Sequence, residues 1–304
     1  MILNRKEQKY IVKKLQLIFA ILLIFVLITS CSSKKEIIYV GAKFYTEQEI
    51  LSNMLIQLIE EHTNLEPVAR TNMSSHVIFA AVTSGGVDVY VEYTGTIFGS
   101  YLSRSETLSA REVFEISSRE LKEQYDLRLL EPLGFNNTFC LAVLPETAAE
   151  YNLRTISDLA LVSSNLIFGG SAEILYRHDG LPNLKKVYNM SFKEELEFAD
   201  EARYTAIASG VVHVTEAFST DGQLLDYDLV VLEDDKQFFP AYEGLVLIRG
   251  EIADKHPGLV DVLSKLSGMI SDTTMRNLNN RVDAHGENPA DVARDFLREN
   301  GLIG

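Results

Sequence analysis

The chain has 304 residues, 46% of them apolar and 23% charged, a balance that excludes collagen-like, low-complexity and disulfide-scaffold proteins. Lys and Arg total 28 against 43 Asp and Glu, a formal net charge of −15, which disfavours a nucleic-acid partner because phosphate contacts need clustered positive charge. Two cysteines, Cys31 and Cys140, are too few for a cysteine-rich zinc site, and the length allows two or three domains.

The first thirty residues read as something other than the fold. Arg5, Lys6, Lys9, Lys13 and Lys14 face a single acid, Glu7, and an apolar run over residues 15–28 follows, interrupted only by Gln16. That run is short for a permanent span, which needs about 20 apolar residues. A basic start, a short apolar core and small residues after it form the pattern of an export signal. The string Ile28-Thr29-Ser30-Cys31 then resembles a bacterial lipobox, whose cysteine is lipidated and becomes the new N-terminus. The expectation is a signal peptide over 1–30, a tether over 31–36 and a lipid anchor at Cys31. The protein would then sit on the outer face of the bacterial cell membrane. Cys140 would remain as the sole thiol; inside the apolar string TFCLAV it reads as a small core residue.

After the tether, a strand is predicted over Ile37–Val40. Thr46-Glu47-Gln48-Glu49 has the spacing of a capping box and opens a helix carrying Ile50, Met54, Leu55 and Leu58 as far as His62. Pro67–Arg70 is a second strand, Val77–Thr83 a helix ended by Ser84-Gly85-Gly86, and Val87–Val91 a third strand. A helix over Ala110–Gln124 precedes strands at Leu129–Pro132 and Thr138–Leu144. The middle of the chain offers strands at Leu166–Phe168, Lys186–Tyr188, Val211–Thr215 and Leu229–Leu232. Its helices fall at Ile156–Leu161, Ala172–Tyr176 and Ser191–Ala208, the last opened by a second capping-box pattern, Ser191 to Glu194. Glu243–Arg249 returns as a strand, and the tail is helical at His256–Leu266, Ser271–Asn279 and Pro289–Glu299. This alternation argues for an α/β fold with a largely parallel sheet.

No low-complexity linker separates these blocks. Two domains without a floppy linker are expected to be joined by strands crossing between them, near Phe135–Thr138 and Phe238–Tyr242. Lobe 1 would then comprise 37–136 and 242–304, with lobe 2, residues 137–241, inserted into it. Two lobes joined in this way close on a ligand between them.

The clearest local signal is Glu92-Tyr93-Thr94-Gly95-Thr96, where a strand runs into a turn presenting an aromatic and two hydroxyls beside a glycine that permits close approach. Further along stand VGAKFYTEQ at 40–48, GFNNTF at 134–139, FGGSAE at 168–173, RHDGL at 177–181, AFSTDG at 217–222 and FPAY at 239–242. Taken together, and in this unbroken order over about residues 38–250, these strings resemble the glycine betaine/choline/carnitine-binding proteins of osmoprotectant ABC importers. The resemblance implies a two-lobed, periplasmic-binding-protein-like (type II) fold with two crossover hinge strands. It also implies a cage of rings for a quaternary ammonium group, here Tyr93, Phe139, Phe218 and Tyr242. The ligand's carboxylate and polar groups would be met by Lys43, Thr96, Asn137 and Arg177. Phe139 and Phe218 stand where the family pattern has tyrosine.

The chemistry suits such a ligand. A trimethylammonium group has no N–H to donate, so the negative faces of aromatic rings must hold it. Each ring contributes ~0.5–2 kcal/mol, so several must converge to reach the ~8 kcal/mol of micromolar binding. A carboxylate needs charged donors, a fork from Arg or a point charge from Lys. Retention of Lys43 and Arg177 favours a carboxylate-bearing ligand, since two buried cations facing choline would be unpaired. The implied partners are that solute, a separate permease with its ATPase subunit, and the membrane through Cys31.

Two alternatives stand beside this reading. The same scaffold could hold another amino acid or small cation, although a primary amine would want Asp or Glu in the cleft. An enzyme is the third: the chain has no HExxH, GxSxG, GxGxxG or GxxxxGK[S/T] string, and no catalytic set, cofactor or metal is expected from it.

Overall fold

The computed structural model describes residues 35–106, 108–177, 180–199 and 202–304. The predicted signal segment, the lipobox and Cys31 lie outside these residues. Ten strands form two five-stranded sheets. The first has the order β2-β1-β3-β10-β4, from Glu36–Lys43 (β1), Leu65–Met73 (β2), Val89–Tyr93 (β3), Leu127–Leu129 (β4) and Gly244–Arg249 (β10). The second has the order β7-β6-β8-β5-β9, from Phe139–Val143 (β5), Ile167–Gly170 (β6), Glu194–Glu197 (β7), Val214–Phe218 (β8) and Val230–Leu232 (β9).

Each sheet has its own apolar core. On the first, Ile38, Val40, Val89, Val91 and Val246 pack against Ile50, Leu51, Met54, Leu55 and Leu58 of the helix Thr46–His62, and against Met275, Leu278, Phe296 and Leu297 of the C-terminal helices. On the second, Leu141, Val143, Phe168 and Val214 meet Ile156, Leu159, Leu181 and Leu184. Cys140 is buried in a further cluster with Ala142, Tyr204 and Ile207, and burial pushes its thiol well above the ordinary range.

The chain leaves the first sheet after β4 and returns with β10, so two segments cross between the sheets. They run antiparallel and bond to each other: Asn136 bridges Glu243, Leu133 donates to the Gly244 carbonyl at 2.8 Å and Asn137 to that of Tyr242 at 3.0 Å. This is the type II arrangement, with two hinge strands and a mixed rather than largely parallel set of sheets. β10 is antiparallel to β3 and β4, and β5 is antiparallel to β8 and β9, because both crossings enter their sheets against the neighbouring strands.

Three local expectations are corrected. Thr46 does not cap its helix: Tyr45 is the N-cap residue, and the Thr46 hydroxyl instead donates to Asp283 at 2.6 Å. The Ser191–Glu194 box does not open a helix either, since Glu194–Glu197 pairs parallel with β6 and the helix begins at Ala202. The capping boxes that do form are Ser109–Glu112 and Thr155–Asp158. Lys186–Tyr188 is helical, part of Leu181–Tyr188, which has Pro182 in its first turn, buries Leu181, Leu184 and Tyr188, and carries Lys185 and Lys186 in its last turn. Proline at the start, a helical apolar spacing and cations near the C-terminus all stabilise that helix, and outweigh the β-propensity of Val187 and Tyr188.

A polar seam ties the helix Asp272–Asp283, on the first sheet's side, to the turn after β8. Arg276 donates to the Ser219 carbonyl at 2.8 and 3.1 Å, Asn279 to that of Thr220 at 2.9 Å, and Asn280 to that of Gly222 at 3.2 Å and to Asp226 at 2.7 Å. Gly222 makes this approach possible: a Cβ there would lie 2.8 Å from Asn280 Cα and 2.9 Å from its nitrogen. Helix backbone cannot move aside cheaply, so Gly222→Ala should lower unfolding stability by about 1–3 kcal/mol. A lowered thermal midpoint is the expected result; an unchanged one would show that the seam opens without penalty.

Candidate functional site

The site grows from the ends of β1 and β3, which are parallel neighbours with Val40 opposite Val89. Lys43 ends β1 and Tyr93 ends β3, so this register brings their side chains to one edge of the sheet. Lys43 is 3% exposed and pairs with Glu92, which is buried completely. Glu92 also accepts from the Tyr93 backbone N–H at 2.9 Å and from the hydroxyls of Tyr101 at 2.6 Å and Tyr90 at 3.3 Å. Burial, and then the Glu92 charge, push both tyrosine hydroxyls far above their usual range. Lys43 is therefore already neutralised. The argument that it would be left unpaired opposite choline loses its premise, because the acid of EYTGT supplies the partner.

Tyr93 is enclosed. The Lys43 ammonium lies 4.9 Å from its ring centroid, Phe135 packs edge-on at 6.4 Å, and its hydroxyl donates to Glu47 at 2.6 Å while accepting from Gln48 at 3.1 Å. Thr94 anchors the crossing strand: its hydroxyl donates to the Ala241 carbonyl at 3.1 Å and accepts from the Glu243 N–H at 3.0 Å. That contact delivers Tyr242, whose ring lies so close to Gly95 that a Cβ there would come within 2.7 Å of it. The glycine of EYTGT thus makes room for an aromatic ring of the chain itself. Thr96 is half-buried in the following turn.

A second pair of rings belongs to the second sheet. Phe139 and Phe218 are opposite one another on β5 and β8 and stack at 4.7 Å with 23° between planes. The Arg177 guanidinium lies 5.9 Å from the Phe139 centroid, and the exposed side chain pairs with Glu173. The expectation set Arg177 on the ligand's carboxylate; here its guanidinium lies over the Phe139 ring, just past the end of the helix Ala172–Tyr176.

One residue ties Tyr93 to the crossing strand and to the turn after β8, and it is absent from the predicted set. Glu47, in the first turn of its helix, is 3% exposed. It accepts from Tyr93, from Asn137 Nδ2 at 2.9 Å, from Asn279 Nδ2 at 3.1 Å and from the Thr220 hydroxyl. Burial pushes its carboxyl above the ordinary range, against the opposing pull of those donors. Of the predicted contacts, the structure thus links Tyr93, Asn137 and Tyr242 through Glu47 and the Asn137–Tyr242 backbone bond, and joins Phe139, Phe218 and Arg177 to one another. Lys43 touches Tyr93 but faces its own counter-ion. The signal for Glu47 was its place in TEQ, four residues from Lys43 in a motif already singled out, but the T-x-x-E spacing read as a helix cap.

A family model described as the substrate-binding domain of ABC-type glycine betaine transport systems matches residues 36–299. The chain belongs to that family. It is 36% identical over 266 residues to the ergothioneine transport permease/ergothioneine binding protein EgtU of Helicobacter pylori (strain G27), an alignment covering 86% of this chain and 47% of that protein. It is 33% identical over 302 residues to the carnitine transport binding protein OpuCC of Listeria monocytogenes serotype 1/2a (strain 10403S), covering 96% of this chain and 98% of that one. A crystal structure described as a glycine betaine/carnitine/choline ABC transporter superposes with a TM-score of 0.84 at 32% identity, covering 88% of this chain and all of the other. The chain spans about half the length of EgtU and nearly all of OpuCC.

The buried Lys43–Glu92 pair makes a direct prediction. Removing one partner of such a pair strands the other, at a loss of about 3–5 kcal/mol. Lys43→Met should therefore lower the unfolding free energy by that order in a urea titration, and the double variant Lys43→Met/Glu92→Leu should recover much of it. A double variant no more stable than the single one would show that Glu92 does not depend on Lys43.

Proposed function

We propose that this chain is the extracytoplasmic receptor of an importer. It takes a small quaternary ammonium solute between its lobes, divided at 136/137 and 241/242, and presents it to a permease served by a separate ATPase. Glycine betaine, carnitine, proline betaine and choline are the candidate solutes. Ergothioneine, printed in the name of one relative, is a trimethylammonium betaine of the same chemistry. The observation that carries the reading is the family match over residues 36–299, and the placement of two groups of motif aromatics supports it. Tyr93 and Tyr242 come from one sheet and its crossing strand, the Phe139–Phe218 stack comes from the other sheet, and Glu47 bonds Tyr93 to Asn137 of the crossing strand. Rings attract an onium through their faces, and a low-dielectric surround strengthens that attraction.

Binding without chemistry is part of the proposal. Among the described residues no group of three or more His, Cys, Asp or Glu is placed to hold a metal, and the acids of the Glu233–Lys236 turn serve the fold: Asp235 accepts from Ser157 at 2.6 Å and Asp234 from the Phe239 N–H at 2.8 Å. No helix of the described residues is long and apolar enough to cross a membrane; attachment is proposed through lipidated Cys31, on the order of basic, apolar and small residues that precedes it.

Titration calorimetry against glycine betaine, carnitine, choline, proline betaine, ergothioneine and ordinary amino acids tests the reading. Heat with at least one quaternary amine is expected, and binding confined to ordinary amino acids would overturn it. Phe139→Leu keeps most of the apolar volume and removes the π face, so it should weaken quaternary-amine binding by about 1–2 kcal/mol, roughly tenfold.

A further inference from the structure

Four carboxylates on the described residues are buried below a tenth of their surface: Glu47, Asp88, Glu92 and Glu216. Three have a cation within ion-pairing distance. Asp88 is paired with Arg249, Glu92 with Lys43 and Glu216 with Arg203. Glu47 has none among the described residues. Its four donors, Tyr93, Asn137, Asn279 and Thr220, are all neutral. Hydrogen bonds satisfy lone pairs, but they leave the net charge of a buried carboxylate uncompensated, which is costly in a low dielectric. A second acceptor shares the place: Asn279 uses its Nδ2 for Glu47 and the Thr220 carbonyl, while its buried Oδ1 has no donor.

We infer that Glu47 is a specificity residue that recognises the positive charge of the solute and makes closure depend on it. This inference rests on the function proposed above. Two donors to Glu47, Tyr93 and Asn137, are residues that the motifs assign to the ligand. The others, Thr220 and Asn279, belong to the seam between the helix Asp272–Asp283 and the turn after β8. One carboxylate therefore touches the cage, a crossing strand and the seam that joins the two sheets. An onium group arriving beside Tyr93 supplies the missing counter-charge, and a neutral solute of the same shape does not. Preference for cations is then a property of an acid as well as of rings.

The charged and titratable groups around Glu47 are few. Tyr45 precedes it on its own element; Tyr93 and the closed Lys43–Glu92 pair come from the first sheet; Asp283 and Arg276, whose guanidinium is held by the Ser219 carbonyl, lie on the helix Asp272–Asp283; Asp221 and its partner Arg203 lie beyond Thr220. Burial raises the Glu47 carboxyl, so its protonated fraction in the unliganded protein grows as pH falls. A cation that prefers the ionised form must then displace that proton. Affinity should fall as pH drops, approaching a limit of one decade per pH unit below the unliganded pKa.

Choline and glycine betaine are suitable probes, because choline carries no titrating group and the betaine carboxyl stays ionised between pH 5 and 8 (each chosen to keep ligand charge constant). For this protein, calorimetry in two buffers of different ionisation enthalpy should show proton release on binding that grows as pH falls from 8 to 5, with dissociation constants rising in parallel. Glu47→Gln should bind about tenfold more weakly at pH 8 with a flat pH profile, and Glu47→Asp should restore the slope. Proton release from the parent protein needs no variant, so a misfolded Glu47→Gln leaves the test intact. Binding without proton release, or a Glu47→Gln variant that keeps the parent's affinity and slope, overturns the role of Glu47 alone. Failure of the parent to bind any quaternary amine overturns the functional reading itself.

Discussion

A carboxylate enclosed by protein has to be satisfied atom by atom, and in this molecule the demands of Glu47 decide which segments meet. Tyr93 from the end of β3, Asn137 from a crossing strand, Asn279 from the helix Asp272–Asp283 and Thr220 from the turn after β8 all direct donors at it. Moving the turn after β8 relative to the first sheet would strip donors from a buried acid. Such a group couples the relative placement of two lobes to the chemistry between them.

The neighbouring Lys43–Glu92 pair works differently. It is an internal neutralisation, surrounded by Tyr90, Tyr101 and the Tyr93 N–H, and its effect is to hold an ammonium over one face of Tyr93 without net charge. Under the proposed function a ligand cation would approach a ring whose hydroxyl is fixed by Glu47 and Gln48 and against which Phe135 packs edge-on. Rigid aromatics of this kind bind without first giving up rotamer entropy. The Phe139–Phe218 stack is simpler. With no hydroxyls to anchor them, those rings are positioned by the cross-strand register of β5 and β8, and they present a more apolar wall.

Family membership and geometry inform each other here. The segments of the family pattern lie far apart in the chain: the TEQ helix start, EYTGT, the GFNNTF crossing, the AFSTDG turn and the FPAY return. They come together because two antiparallel crossing strands place them around one seam. Several motif residues turn out to be structural partners of others. Thr94 holds the crossing strand, Gly95 accommodates the Tyr242 ring, and Glu92 balances Lys43. A motif of this type thus records a mutual fit among residues as much as a list of ligand contacts.

Much was legible in the sequence because it is local or cumulative. Apolar periodicity located most of the longer helices and strands but missed the short helices Pro145–Tyr151, Gln223–Asp226 and Gly250–Lys255, and the order of short motifs pointed to the family and to the aromatic set. Other features required the folded chain, since their causes are non-local. Whether Thr46 caps a helix depends on an acid at position 283, whether residues 194–197 extend depends on a free edge at β6, and whether Lys43 is available depends on a carboxylate 49 positions away. The sequence by itself indicated an α/β fold, because spacing along one strand or helix is local, and the resemblance of its motifs implied the two lobes and the aromatic set. Only the tertiary structure decided which charges are cancelled and which carboxylate is left without a counter-ion, because electrostatic pairing is fixed by distance in space.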